Sequence, residues 1–327
     1  MSDLEIQKTD YKGLAVKYMQ GDTGMPAVVY AKGLGIPGKE VSRMFILNQL
    51  GFSVAYAPYR GSWGSKGEFL SKNDGALSIT DDVRDLIKFS LENLSSEVHL
   101  LGECLGASPA LMASLDFDQA TKIFTYGGMF YTDCPPKLKT YSADPRDKAV
   151  ELGENLAAGG KPDEKFFPTY DGFNLDVWMD MINGNTDLML HDHLDALATK
   201  QIMLMHPAND NLVSPERSEH LYNSLVFYCE NQGIDHNATL RITNQGGHAS
   251  GFGSNEQIET LAFLTGKELS VVGEQYQQII NTIAQNHVQN GVPFHDEIVT
   301  EMQDFQKAGI LNQLPIEDII KLALKGQ

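Results

Sequence analysis

Basic residues are scarce in this chain of 327 residues: 25 Lys and Arg stand against 43 Asp and Glu, a formal charge of −18. Binding to nucleic-acid phosphates draws its free energy from Lys and Arg releasing counterions, so no nucleic-acid partner is expected. The anionic face of a membrane is disfavoured for the same reason, and no apolar run approaches the roughly 18 residues of a membrane span. Cysteine is rare, at positions 104, 134 and 229, an odd number without metal-ligand spacing. No disulfide framework and no metal are expected, and a reducing cytoplasm is the expected compartment. The acidic start Met-Ser-Asp-Leu-Glu-Ile lacks the basic and apolar regions of a signal peptide. No internal repeat or low-complexity tract is visible.

What is there is a 42 % apolar content, enough for a sizeable core, in a length that suits one large domain or a domain with appendages. Short apolar runs read as strands at Leu14–Met19, Ala27–Ala31, Ser53–Ala57, Val98–Leu101, Lys122–Tyr126, Gln201–Met205 and Ala238–Ile242. Between them lie helical patterns. One carries Val41, Met44, Phe45 and Leu47 and is closed by Gly51; a second starts near Thr80 with Asp81 and Asp82 in its first turn; a third runs through Leu115. Ser214-Pro215 opens a fourth, and Ser254 with Gln257 forms a capping-box pattern for a fifth. Strands alternating with helices, each apolar run ending in a glycine-bearing loop, describe an α/β chain with a doubly wound, mostly parallel sheet covered on both faces.

Two segments fall outside the alternation. Residues 130–198 hold 6 bases and 13 acids, prolines and helical stretches, and read as a helical cap inserted into a core made of 1–129 and 199–267. Its aromatic residues, among them Phe130, Tyr131, Phe166, Phe167, Tyr170, Phe173 and Trp178, read first as the cap's own core and second as the lining of an apolar pocket. Residues 268–327 hold 3 bases and 8 acids and read as a helical C-terminal extension, with apolar stripes at Ile298, Met302, Phe305 and at Ile316, Ile319, Ile320, Ala323. Stripes of that kind must pack on something, so the extension is expected to cover the cap or to join a second subunit in a homo-oligomer.

The strongest local signal is Gly102-Glu103-Cys104-Leu105-Gly106 between a strand and a helix. A sharp turn there lifts the central side chain above the sheet, and the amides of the following helix stabilise negative charge beside it, the setting of a reactive cysteine. The bland alternative is a small buried core cysteine. With its Gly-x-Cys-x-Gly turn, the sequence resembles the α/β-hydrolase superfamily over roughly 25–130 and 198–265, and Cys104 makes it similar to the cysteine branch that includes dienelactone hydrolases.

The resemblance implies a nucleophile, an acid and a histidine in that chain order, each on a loop after a strand. The matching acid is Asp210 in His206-Pro-Ala-Asn-Asp-Asn-Leu-Val213, against the simpler reading of an Asp that starts a turn. The matching base is His248 in Gln-Gly-Gly-His. His206 is its rival, but it lies at the start of the acid's own loop, where a base facing Cys104 is less expected. The oxyanion hole implied by the family is the backbone amide of Leu105 with that of Leu34, in a Lys32-Gly-Leu-Gly35 turn that carries lysine where the family has histidine. Two features stand apart. Glu103 beside a cysteine discourages a thiolate unless a cation pairs with it, and Arg60 is the candidate. His191 and His193 flank Asp192 but have no third ligand at helical spacing, so they read as solvated.

The function implied is a hydrolase cleaving an ester, thioester or lactone of a small or medium apolar acyl substrate through a Cys-His-Asp acyl-enzyme, with no cofactor. An acyltransferase or a carbon–carbon bond hydrolase on the same triad is a second reading. A third is a non-catalytic scaffold of the same fold, supported by Glu103 and the C-terminal extension.

Overall fold

Ala27-Val-Val-Tyr-Ala31 is buried at all five positions, as a strand covered on both faces must be. The computed structural model describes residues 6–34, 39–73, 76–130, 145–158, 170–183, 189–210, 212–244, 248 and 254–290. The elements run β1 (Gln7–Tyr11), β2 (Leu14–Met19), β3 (Ala27–Ala31), α1 (Lys39–Gln49), β4 (Ser53–Tyr56), β5 (Lys72–Asn73), β6 (Ala76–Leu77), α2 (Ser78–Asn93) and β7 (Val98–Glu103). A single 3-10 turn (Cys104–Gly106) leads into α3 (Ala107–Ser114) and β8 (Ala120–Tyr126). Then come α4 (Pro145–Ala157), α5 (Leu175–Ile182), α6 (Leu194–Leu197), β9 (Gln201–Pro207), α7 (Glu216–Gln232), β10 (Ala238–Thr243), α8 (Ser254–Thr265) and α9 (Leu269–Asn290).

Eight strands form one sheet in the order β1-β2-β4-β3-β7-β8-β9-β10. The β1–β2 and β2–β4 pairings are antiparallel, and every pairing from β4 to β10 is parallel. β1 is a strand that the polar start conceals: four of its five residues are exposed at the sheet edge, so it has no apolar run to show.

Alternate residues of the central strands feed two cores. Val29, Ala55, Leu100, Ile123 and Leu204 join the cluster that also holds residues of α2, α3 and α7. Val28, Val54, Leu101, Phe124 and Met203 join the other, with Met44 and Leu47 of α1 and Leu261 and Leu264 of α8. That two-sided cover is the doubly wound arrangement expected from the alternation.

Between β8 and β9 the described residues are helical. Trp178 and Met181 of α5 are fully buried in the first cluster. Tyr170 packs on Phe69, in the loop after β4, with ring centroids 4.3 Å apart, and Phe173 lies 6.3 Å from Phe69 and 5.8 Å from Trp178. These aromatics therefore pack in common with the main domain and are not a core private to the insertion. Tyr131, Phe166 and Phe167 lie outside the described residues.

The C-terminal extension begins as α9, whose Val272 and Tyr276 are buried with Met44, Ile46 and Leu47 of α1 and Leu261 and Leu264 of α8. The first turns of α9 thus complete the α1/α8 layer of the core itself. The stripes at 298–305 and 316–323 lie outside the described residues. No helix among the described residues is long and apolar enough to cross a membrane.

Candidate active site

The chain leaves β3 for β4 on one side and returns to β7 on the other, so β3 and β7 are neighbours at the point where strand order reverses. Ligand sites of open α/β sheets form there, beyond the carboxyl ends of the strands. Cys104 sits at that end of β7, with φ +48°. A left-handed backbone at a residue with a Cβ costs about 1–2 kcal/mol and has to be held by its surroundings. They are in place. Met129 N–H donates to Cys104 O at 2.9 Å, and Ser108 Oγ donates to Met129 O at 2.6 Å. The β3 exit passes so close that a Cβ at Gly106 would collide with the carbonyl oxygens of Ala31 and Lys32.

Asp210 follows β9 and is 1 % exposed. Its Oδ1 accepts from the backbone N–H groups of Leu212 and Val213, both at 2.9 Å. Asp210 is thus a turn-forming aspartate, as the bland reading had it. Its other oxygen is left for the site: His248 Nδ1 donates to Asp210 Oδ2 at 2.8 Å, and His248 Nε2 lies 2.9 Å from Cys104 Sγ. Gly127, at the exit of β8, leaves room for this line; a Cβ there would stand 3.3 Å from Asp210 Oδ2. Sequence reasoning passed over Gly127-Gly128, whose place after a strand carried the signal.

Burial alone pushes the Asp210 carboxyl up, yet hydrogen bonds from His206, His248 and Val213 N–H hold it well below the usual carboxylate range. Burial lowers His248, but the charge of Cys104 and the bond to Asp210 outweigh it and push the imidazole up to about 10. The protonated imidazole is thereby the favoured form beside the Asp210 carboxylate.

Gly33 brings the Lys32–Leu34 turn against Cys104: a Cβ at Gly33 would lie 2.7 Å from Cys104 Cβ and 3.5 Å from Sγ. Tyr59 Oη donates to Lys32 O at 2.6 Å and pins that turn. Leu105 is fully buried in the turn between β7 and α3. Gly35 lies outside the described residues.

Two sequence expectations are corrected. Glu103 pairs with Arg43 of α1, not with Arg60, and also accepts from Tyr30 Oη. Glu103 shares the parity of Leu101 along β7, so it points to the α1/α8 face, whereas Arg60 is bound to Asp82 and Asp85. His191 is not simply solvated: its Nε2 lies 2.8 Å from Ser224 Oγ and its ring stacks on His220 at 4.9 Å. Among the described residues no group of three His, Cys, Asp or Glu side chains is placed to hold a metal.

With this geometry in hand, comparison with solved structures decides the architecture. A hypothetical protein of Pseudomonas aeruginosa superposes with a TM-score of 0.55 at 14 % identity, over 81 % of this chain and 94 % of that one. An esterase of Pyrococcus furiosus gives 0.51 at 15 % identity, over 84 % of this chain and 91 % of that one. The fold is that of the α/β-hydrolases. A bromoperoxidase of Bacillus anthracis matches this α/β-hydrolase fold with a TM-score of 0.51 at 16 % identity, over 80 % of this chain and all of the other. No protein-family model and no curated protein matches the sequence.

Proposed function

We propose that the protein is a hydrolase that cleaves an ester, thioester or lactone of an apolar acyl substrate through a covalent intermediate on Cys104. The observation that carries this reading is the unbroken line from Asp210 Oδ2 to His248 at 2.8 Å and from His248 to Cys104 Sγ at 2.9 Å. The fold, shared with an esterase, is in keeping with it.

In this mechanism the thiol proton already rests on His248 Nε2 before the attack, and its Nδ1–H stays on Asp210. Sγ attacks the acyl carbon, and the carbonyl electron pair moves onto oxygen, where the Leu34 and Leu105 amides receive it. Collapse re-forms the carbonyl and breaks the bond to the leaving group, which takes the proton from His248. Water then repeats the sequence: His248 accepts its proton, the oxygen attacks the thioester, and the thiol leaves with the proton restored. Asp210 keeps the imidazolium oriented throughout.

Glu103 gave the non-catalytic reading part of its support. Its pairing with the Arg43 guanidinium removes that support, because the acid's charge is met on the far side of the strand. Nothing in the geometry favours an acceptor other than water.

The test is a panel of aryl and alkyl esters, thioesters and lactones, with intact-mass and peptide mapping of trapped protein. The expected result is an acyl adduct on Cys104 and loss of turnover in Cys104→Ala. Brief iodoacetamide treatment should label Cys104 before Cys229, which is fully buried and whose thiol burial pushes up. Turnover equal in Cys104→Ala and the natural protein would overturn the proposal.

A further inference from the structure

Asp210 Oδ2 has a second histidine on it. His206, the sixth residue of β9, is fully buried, and both of its ring nitrogens are engaged. Nδ1 lies 2.7 Å from Ser218 Oγ, and Nε2 lies 3.0 Å from Val213 O and 3.2 Å from Asp210 Oδ2. A carbonyl oxygen only accepts, so Nε2 carries the proton and Nδ1 is the acceptor of the Ser218 hydroxyl. The Val213 carbonyl thereby sets the tautomer of His206, and Ser218, in the first turn of α7, holds the ring so that its Nε2–H faces the edge shared by Val213 O and Asp210.

We infer that His206 is a positioning residue for the site: fixed by Ser218, it locks the Asp210 carboxylate in the one orientation that faces His248. This rests on the reading of Cys104, His248 and Asp210 as the reacting set. The donor count supports it. Asp210 receives the amides of Leu212 and Val213 on Oδ1 and the imidazole of His248 on Oδ2, where the His206 Nε2–H, shared with Val213 O, makes a longer contact at 3.2 Å. With His206 removed, Oδ2 keeps His248 as its single anchor, and the desolvated carboxylate loses one of the contacts that keep it ionised. The other titratable groups near Asp210 among the described residues are His248, on Oδ2, and Tyr126 at the end of β8, whose hydroxyl burial raises well above its ordinary value. Neither supplies a replacement for the bond from β9.

The experiment uses the full chain in four forms: His206→Ala, His206→Gln, Ser218→Ala and His248→Ala. Two readouts apply, kcat and KM on an acyl donor that reacts, and the pH dependence of Cys104 alkylation by iodoacetamide, which needs no substrate. His206→Ala should lower kcat about tenfold to a hundredfold with KM within about twofold, the loss of one hydrogen bond to a charged group. Its alkylation profile should move its acid limb up, as a less firmly oriented carboxylate supports the His248 imidazolium less. His206→Gln, which can place an N–H where Nε2 stood, should recover most of both. Ser218→Ala leaves the Nε2–H on Val213 O but removes the bond that holds the ring at Nδ1, so it should shift both readouts the same way by less.

A His206→Ala protein with the natural kcat and alkylation profile but a lower melting temperature would make His206 a packing residue and overturn the inference. So would a His206→Gln no better than His206→Ala. If His206→Ala does not fold, His206→Gln and Ser218→Ala decide by the same readouts. If no acyl donor reacts with any form, the hydrolase reading fails, while the alkylation profiles still settle the part played by His206.

Discussion

Gly33→Ala adds one methyl group at the point where the β3 exit meets Cys104. The new Cβ would lie 2.7 Å from Cys104 Cβ and 3.3 Å from Glu103 O. Carbon atoms in contact sit at about 3.5–4.0 Å, so the deficit is about 1 Å. Cys104 cannot retreat, because its backbone is held at φ +48° with its carbonyl bonded to Met129 N–H. The Lys32–Leu34 turn must therefore move by about that ångström, against the Tyr59 bond that pins it. Overpacking of this kind costs about 1–3 kcal/mol of stability. Its effect on turnover is larger, since a misplacement of about 1 Å in a group that positions the reaction costs about 10²-fold. Melting temperature, kcat on an ester substrate and the rate of Cys104 alkylation measure the three consequences. Alkylation, which needs no oxyanion hole, should change far less than kcat. Gly233→Ala is the control: Gly233 caps α7 at φ +66° with nothing within 4 Å of its Cβ position. It should cost about 1–2 kcal/mol of stability and no activity. A Gly33→Ala protein with natural kcat and melting temperature would refute the geometry from which the oxyanion turn is argued.

Three further outcomes are expected. His248→Ala should lower kcat by several orders of magnitude, and adding Asp210→Ala should cost little more, because residues on one proton path act as a unit; additive losses in the double variant would mean that Asp210 acts elsewhere. His248 is raised from about 6.5 to about 10 on folding, so the stability its imidazolium contributes is complete below about pH 6.5 and is lost as pH climbs toward 10. The gap in melting temperature between the natural protein and His248→Gln should accordingly shrink between pH 7 and 10, and a constant gap would contradict the assigned charge state. A chain ending after Gly266 uncovers the core that Val272 and Tyr276 close, so it should melt earlier yet keep Cys104 labelling; burying a valine-sized side chain is worth about 1.5–3 kcal/mol. An unchanged melting temperature would make α9 a passive tail.

The central strands could be read from the sequence because burial on both faces leaves runs such as Val-Val-Tyr-Ala, which few other environments allow. β1 could not, since Gln7–Tyr11 is exposed at the edge. Local chemistry was read correctly in kind and incompletely in partners. Asp82 suits a helix N-terminus, but it is also the buried acceptor of Arg60 N–H at 2.7 Å, which takes Arg60 out of reach of Glu103. The Ser254–Gln257 capping pattern marks a real helix start, although Gln257 Oε1 is buried with no hydrogen-bond partner among the described residues.

The sequence by itself determined which residues stand on which face and which turns close the strands, because a period of two and the chemistry of glycine act over a few neighbours. It therefore set Cys104 in a tight turn, and Asp210 and His248 on loops that follow strands. Only the tertiary structure decided that these loops meet. His248 is 38 positions from Asp210 and 144 from Cys104, and their contacts exist because β7, β8, β9 and β10 lie side by side and in parallel. The same register put Arg43 on Glu103 and a second imidazole beside Asp210, since strand order and register are properties of the assembled sheet and not of any local stretch of chain.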